Sequence, residues 1–227
     1  MTSSTTIPDL TDYRVIHHAL RTAPHRMAAA LAGFRGGDRV QARALLKYWI
    51  GYAGEVFAHH TIEDDIFFPK LVERVPRTGD HLEQVDADHH HLDRLMGACH
   101  RALTELARTT SEGSAFEAAI RMRELATHMD QHLDFEDEAL VPLFGVHFSA
   151  GEYEALHEAA MKHLGIGKQA AYTVPFVMHW AEPADRDKLI AEAPAVMRLL
   201  WKLTRSGHAR LTSRALGTAA APLAVAS

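Results

Sequence analysis

Two segments of the chain place a histidine and a glutamate four residues apart, followed by further acids, an apolar run and a proline. They are HHTIEDDIFFPKL, which begins at His59, and HLDFEDEALVPLF, which begins at His132. On an α-helix, a four-residue step returns a side chain to the same face about 6 Å further along. His59 with Glu63, and His132 with Glu136, therefore form two pairs that we call pincers.

Each pincer offers one imidazole and one carboxylate. Neutral nitrogen and hard oxygen ligands without a thiolate suit iron or manganese better than a structural zinc site. A single such pair is most simply read as two surface residues of a helix. The repetition of the whole pattern needs a common cause, and a shared metal site supplies one.

Composition sets the outer limits of the function. The chain has 227 residues, 47% of them hydrophobic, which is enough for one buried core with about 70 residues left over. A formal charge of -5 and scattered basic residues argue against nucleic acid as a partner. A single cysteine, Cys99, fits a reducing compartment. No apolar run has the length of a membrane span and no signal region is visible, so we expect a cytoplasmic protein without a membrane partner.

Hydrophobic periodicity predicts four long helices joined by short turns. Their expected bounds are about 10–35, 38–68, 81–108 and 114–140. We expect Pro69 to close the second helix, and Ser114 with Glu117 to form a capping box at the start of the fourth. Such a pattern predicts an all-α, up-down-up-down four-helix bundle over residues 10–148.

Bundle geometry selects a histidine of the first helix. In two antiparallel helices, side chains at one depth lie equally far from the turn in sequence. His17 and His59 lie at similar distances from the turn near residue 37, whereas His25 would lie roughly 12 Å off that level. His17 is therefore the preferred ligand. His18 and His25 remain alternatives, because Pro24 could start a new helix just before His25.

The same argument applies to the third and fourth helices. About a turn near residue 112, His89 matches the depth of His132, and His100 lies too close to the turn. Within the triplet His89–His91, His89 shares its stripe with Leu92. Six side chains are thus expected to converge: His17, His59, Glu63, His89, His132 and Glu136.

These residues resemble the hemerythrin-like (HHE cation-binding) family, whose signature is a histidine, HxxxE, a histidine and HxxxE on four successive helices. The matching stretches are IHHALR, HHTIEDDIFFP, ADHHHLDRL and HLDFEDEALVPL, over roughly residues 10–160. The resemblance implies a hemerythrin-like bundle with two non-haem iron ions, bridged by an oxo or hydroxo group and by the carboxylates of Glu63 and Glu136. Oxygen-carrying hemerythrins have a fifth histidine on the third helix and an aspartate for the second glutamate, which this chain lacks.

The ligand count favours reactivity over oxygen storage. Two six-coordinate irons with these ligands would keep about two positions for solvent, dioxygen, peroxide or nitric oxide. We therefore expect a protein that reacts with or senses these ligands, with weak peroxide- or nitric oxide-consuming activity as one form. The alternatives are a non-catalytic iron-binding or iron-sensing module and a reversible oxygen carrier. His60, His128 or Tyr52 could fill a vacancy, although we favour a neighbouring or packing role for each.

Other site chemistries lack their spacing. A ferritin-like site needs two ExxH motifs on bundle helices, and the one present, Glu154 to His157, lies outside the bundle. HExxH and HxxEH are absent, which excludes the common zinc proteases. Cys99 lies on an apolar stripe and is expected to be a core residue rather than a nucleophile.

Beyond residue 148 the sequence predicts a helical extension over residues 149–216. Ser149 and Glu152 should cap its first helix, and Pro175, Pro183 and Pro194 should break the later ones. Its apolar stripes favour a cover over the bundle or the surface of a homodimer. Residues 217–227 are predicted to be a disordered tail.

Overall fold

The computed structural model describes residues 6–165, 167 and 169–220, and no strand occurs among them. The helices, in chain order, are α1 (Thr11–Ala32), α2 (Arg39–Ile62), a π-helical turn (Glu63–Phe67), α3 (Phe68–Arg74), α4 (Gly79–Thr109), α5 (Glu112–Ala139), α6 (Val141–His147), α7 (Ala150–Leu164), α8 (Ala170–Trp180), α9 (Pro183–Glu192) and α10 (Ala195–Leu216). The four long helices predicted from the sequence correspond to α1, α2, α4 and α5.

The ends of these helices follow from local chemistry. Gly37, at φ +86°, provides the left-handed residue that the turn between α1 and α2 requires. Asp38 then caps α2 by accepting a hydrogen bond from the backbone N–H of Gln41 at 2.9 Å. The predicted capping box at Ser114 is wrong. The N-cap of α5 is Ser111, which accepts from the N–H of Ser114, so the helix begins three residues earlier.

Proline positions explain two further differences from the predicted helices. Pro69 does not end the helical segment as predicted. A π-helical turn comes before it, and α3 follows directly with Pro69 in its first turn, where the missing N–H is tolerated. Pro175 lies inside α8 and Pro24 inside α1, and both helices continue through them. Pro183 and Pro194 stand at the starts of α9 and α10, as expected.

Packing brings α1 against α5, α5 against α4, and α4 against α2. Apolar side chains fill the interior on both sides of a polar layer. One apolar cluster lies towards the α1–α2 turn and includes Leu20, Val56 and Leu133. The other lies towards α3, α6 and α7 and includes Phe67 and Phe144.

Among the helices after residue 148, α10 packs on α2 and α8, whereas α8 and α9 pack on α1. The predicted capping box of Ser149 and Glu152 at the start of α7 is confirmed. At the start of α8, Gln169 and Thr173 both donate hydrogen bonds to the buried carboxyl group of Glu55 on α2. Residues Gly217–Ala220, the first part of the predicted tail, form a 3₁₀ turn, and residues 221–227 lie outside the described residues. No helix among the described residues is long and apolar enough to cross a membrane.

Candidate metal centre

The polar layer between the two apolar clusters contains seven buried histidine and glutamate side chains. Each is at most 7% exposed. They form two groups whose potential ligand atoms lie within 4.8 Å of one another: the first is His17, His59, Glu63 and Glu136, and the second is His60, His89 and His132. All six residues selected from the sequence belong to these groups.

The two carboxylates lie between the groups and face both. Oε1 of Glu63 is 3.3 Å from Nε2 of His59, and its Oε2 is 3.8 Å from Nε2 of His89. Oε2 of Glu136 is 3.6 Å from Nε2 of His17, and its Oε1 is 3.6 Å from Nε2 of His132. Each glutamate thus directs one oxygen to either group, which is the arrangement that a bridging carboxylate needs.

Aspartates that follow the pincers fix two of the imidazoles. Nδ1 of His17 lies 2.7 Å from Oδ1 of Asp137, the residue after Glu136. Nδ1 of His89 lies 3.3 Å from Oδ2 of Asp64, the residue after Glu63. An Nδ1–H donated to a carboxylate leaves Nε2 with its lone pair directed into the cluster. Asp137, which follows the second pincer, therefore orients His17 on α1. Asp64, which follows the first pincer, orients His89 on α4.

His60 is the residue that the sequence analysis placed beside the site rather than in it. Its ring stacks on that of His89, with centroids 3.8 Å apart and an interplanar angle of 12°, and His60 belongs to the second group. His60 directly follows His59, so its side chain points about 100° away from that of His59 around the helix axis. Periodicity therefore predicted that His60 lies on a different face of α2 from the pincer. Because α2 lies between two neighbouring helices at this level, both faces point into the polar layer.

Tyr13, on α1, is a further polar residue of this layer that was not selected from the sequence. Its hydroxyl donates to Oε1 of Glu63 at 2.5 Å, and its ring contacts those of His17 and His59. It lies four residues before His17, on the same face of α1. That spacing was the signal that could have identified it.

The other histidines weighed in the sequence analysis lie elsewhere. His25 is half exposed and bonds to Asp130 at 2.8 Å, which agrees with the depth argument against it. His128 pairs with His91 across α4 and α5, with Nε2 atoms 3.4 Å apart. Tyr52 donates its hydroxyl to the carbonyl of Leu20. Cys99 is fully buried in the core, where burial raises the pKa of its thiol to about 12.

Residues 10–144 match the family model described as the hemerythrin HHE cation binding domain. The chain belongs to this family. No curated protein and no solved structure matches the chain. The matched range contains all seven residues of the two groups and Tyr13, and it ends within α6.

The buried side chains of this hemerythrin HHE domain fit a cation. Among the described residues, the Nε2 atoms of all five histidines have no hydrogen-bond partner, nor do Oε2 of Glu63 and both oxygens of Glu136. Buried polar atoms without partners are costly and rare, so eight of them facing one another need a common ligand. Imidazole nitrogens and carboxylate oxygens are the donors that non-haem iron prefers.

Burial also sets the protonation of these groups. Desolvation lowers the pKa of His59 and His60 well below the usual value and lowers that of His132 to about 3, so their rings are neutral. Desolvation raises the pKa of Glu63 to about 8, against the opposing effect of the Tyr13 hydrogen bond. It raises the pKa of Glu136 well above normal, with the charge of Glu63 adding to it. A bound cation would favour both carboxylates as anions.

Proposed function

We propose that this hemerythrin HHE domain holds two non-haem irons and reacts with or senses dioxygen, peroxide or nitric oxide. The eight unpartnered ligand atoms of the two groups carry this proposal. His17 and His59 would bind one iron, and His60, His89 and His132 the other. Glu63 and Glu136 would bind both. We further propose that α1, α2, α4 and α5 form an up-down-up-down bundle, since short turns join α1 to α2 and α4 to α5, and α5 packs against both α1 and α4.

The irons would supply redox chemistry and open positions for small ligands. The protein's own residues hold the ligands in place and keep bulk water away. Tyr13 fixes Oε1 of Glu63, and Asp64 and Asp137 fix two imidazoles. Phe67 and Phe144 close the end of the layer nearest Tyr13. A dry layer of this kind strengthens every electrostatic interaction within it.

Metal analysis with ultraviolet-visible spectroscopy tests the metal proposal. We expect about two irons per chain after anaerobic loading, and oxygen-to-iron charge-transfer bands in the near ultraviolet after oxidation. One zinc per chain, or no metal after anaerobic loading, would contradict it. Stopped-flow mixing of the reduced protein with dioxygen, peroxide or nitric oxide then separates the functions. Oxidation without a long-lived dioxygen complex supports reactivity, and the absence of any reaction supports a non-catalytic iron-binding module.

The position of His60 favours one alternative, a reversible oxygen carrier. With five histidines in place of four, about one coordination position remains open rather than two. A dioxygen complex that returns to the reduced state under argon would establish this function. His60→Ala provides the matched test, because its extra open position should convert such a carrier into a protein that is oxidised by dioxygen. His128→Ala, outside the groups, should behave like the wild type.

A further inference from the structure

The outer surface of α10 is more basic than the rest of this acidic chain. The chain has 29 acidic and 24 basic residues, yet α10 contains five Lys or Arg residues and no Asp or Glu. Two of them, Arg210 and Arg214, lie opposite Arg39, Arg43 and Lys47 of α2 across a groove of about 500 Å³. Among the described residues, none of the five cations that line this groove forms an ion pair.

The same face of α10 also carries exposed aliphatic side chains. Val196, Leu199 and Leu203 are 49%, 55% and 72% exposed. These three residues are separated by three and four positions, and Arg210 follows Leu203 by seven positions. Steps of three, four and seven residues return to the same side of an α-helix, so all four residues lie on one stripe. The stripe is apolar in the first half of α10 and basic in the second. From Val196 to Arg214 the stripe is about 27 Å long, at 1.5 Å per residue.

We propose that this face, formed by the α10 stripe and the cations of α2, docks the protein on an anionic lipid bilayer. An apolar stripe beside a cluster of cations is the pattern of helices that lie in the headgroup region of a membrane. The whole chain is acidic, so an anionic surface would repel it in any other orientation. A peripheral surface needs no membrane-spanning helix and does not depend on the iron proposal.

Other occupants fit this face less well. A two-fold dimer would use the same patch on both copies and bring its cations together. Nucleic acid would satisfy the cations, but no aromatic side chain among the described residues lines the groove to stack on bases, and the aliphatic stripe would find no counterpart. A bilayer offers anionic headgroups and an apolar phase next to each other, so it matches both halves.

Vesicle co-sedimentation of the full-length, iron-loaded protein tests the proposal. We expect binding to phosphatidylserine-containing vesicles at low salt, little binding to pure phosphatidylcholine vesicles, and loss of binding at high salt. The variant R43E/R210E should bind at least about 30-fold more weakly, since the loss of each cation near the surface changes the affinity about fivefold and the two new carboxylates are repelled by the anionic lipid. The control R101E/R123E changes the net charge equally, at exposed positions on α4 and α5, and should bind within about threefold of the wild type.

The aliphatic half of the face is tested separately. L199S/L203S should weaken vesicle binding, whereas F116S, at a residue of α5 that is 61% exposed, should not. Iron content and circular dichroism confirm that each variant is folded. The proposal is overturned if the wild-type protein does not bind anionic vesicles, or if R43E/R210E and R101E/R123E bind them equally. Binding of single-stranded DNA by this face instead of vesicles would also overturn it. A dimer in solution that L199S/L203S dissociates, without vesicle binding, would assign the face to a second copy of the chain.

Discussion

The two pincers share a sequence pattern but differ in their surroundings. After His59, the chain widens into a π-helical turn at Glu63, and Pro69 falls in the first turn of a new helix. After His132, α5 stays regular to Ala139, and the helix is interrupted only at Leu140, before Pro142. Both prolines lack the N–H that a continuous helix requires and both fall in the first turn of a short new helix, but only the first of these helices follows a π-helical turn.

The two glutamates consequently differ in their hydrogen bonds. Glu63 accepts from Tyr13, whereas Glu136 has no protein donor on either oxygen among the described residues. Both carboxyl groups are buried, and burial raises the pKa of each above its usual value. A repeated motif thus supplies the same ligand types twice without supplying equal environments. Glu136 depends more on a cation for its negative charge.

The largest expected effect comes from removing either pincer. His59→Ala and Glu136→Ala should lower iron affinity roughly 100-fold or more, since even outer-shell changes commonly lower metal affinity 10- to 100-fold. His25→Ala and His100→Ala should retain the iron of the wild type, because neither residue belongs to the two groups. Iron per chain after anaerobic loading and desalting measures this. Loss of iron in His25→Ala, with retention in His17→Ala, would refute the depth argument.

A smaller effect is expected from Tyr13→Phe, which makes the two glutamates more alike. Without its donor, Glu63 should hold iron more weakly, by roughly 10-fold, and the near-ultraviolet bands of the oxidised protein should shift. Tyr153→Phe is the matched control, because that hydroxyl lies in the same apolar cluster but contacts Asp12 rather than a glutamate of the groups. Equal iron affinities and spectra in both variants would show that the Tyr13 hydrogen bond does not distinguish the pincers.

The aspartates provide a finer comparison of the two halves. Asp137 lies closer to its imidazole than Asp64 does, at 2.7 Å against 3.3 Å, and Arg21 also holds its other oxygen. Asp137→Asn should therefore lower iron affinity more than Asp64→Asn, with both effects below about 10-fold. Competition with a chelator measures the two affinities. The reverse order would indicate that His89, rather than His17, depends more on its aspartate.

The smallest effect concerns Glu55, a buried carboxyl of α2 outside the groups. Burial raises the pKa of Glu55 in the folded protein, so it stays protonated where the unfolded chain ionises. Unfolding then releases a proton, and its stabilising contribution is lost as pH rises from the unfolded pKa towards the folded one. Relative to wild type, Glu55→Gln should therefore gain more free energy of unfolding at pH 7 than at pH 5.

Iron content should be unchanged in Glu55→Gln, in contrast to the variants of the pincers. Urea denaturation at the two pH values measures the effect. A variant that loses stability relative to wild type as pH rises would show that the carboxyl of Glu55 is ionised in the folded protein.

The sequence by itself determined the helices and most of the candidate ligands. Heptad spacing identified α1, α2, α4 and α5, because an amphipathic helix carries its buried face in its periodicity. His17 and His89 could be selected by their depth in the bundle, because the rise per residue is constant along a helix. Both lie with the pincers, as expected. Capping and proline signals were less reliable. Ser111 caps α5 in place of Ser114, because several nearby residues could serve as the cap. Pro175 lies inside α8, because tertiary packing tolerates a proline within a helix.

Only the tertiary structure decided the position of His60 and the hydrogen bond of Tyr13. It also decided that Asp64 and Asp137 pair with histidines of other helices. These depend on how far each helix is rotated about its axis and on which neighbours it contacts. Periodicity defines one buried face per helix, but at the level of the polar layer α2 is covered on two sides. The π-helical turn at Glu63 also breaks the regular step that a sequence argument must assume. Spacing fixes which residues share a face, and packing fixes what that face meets.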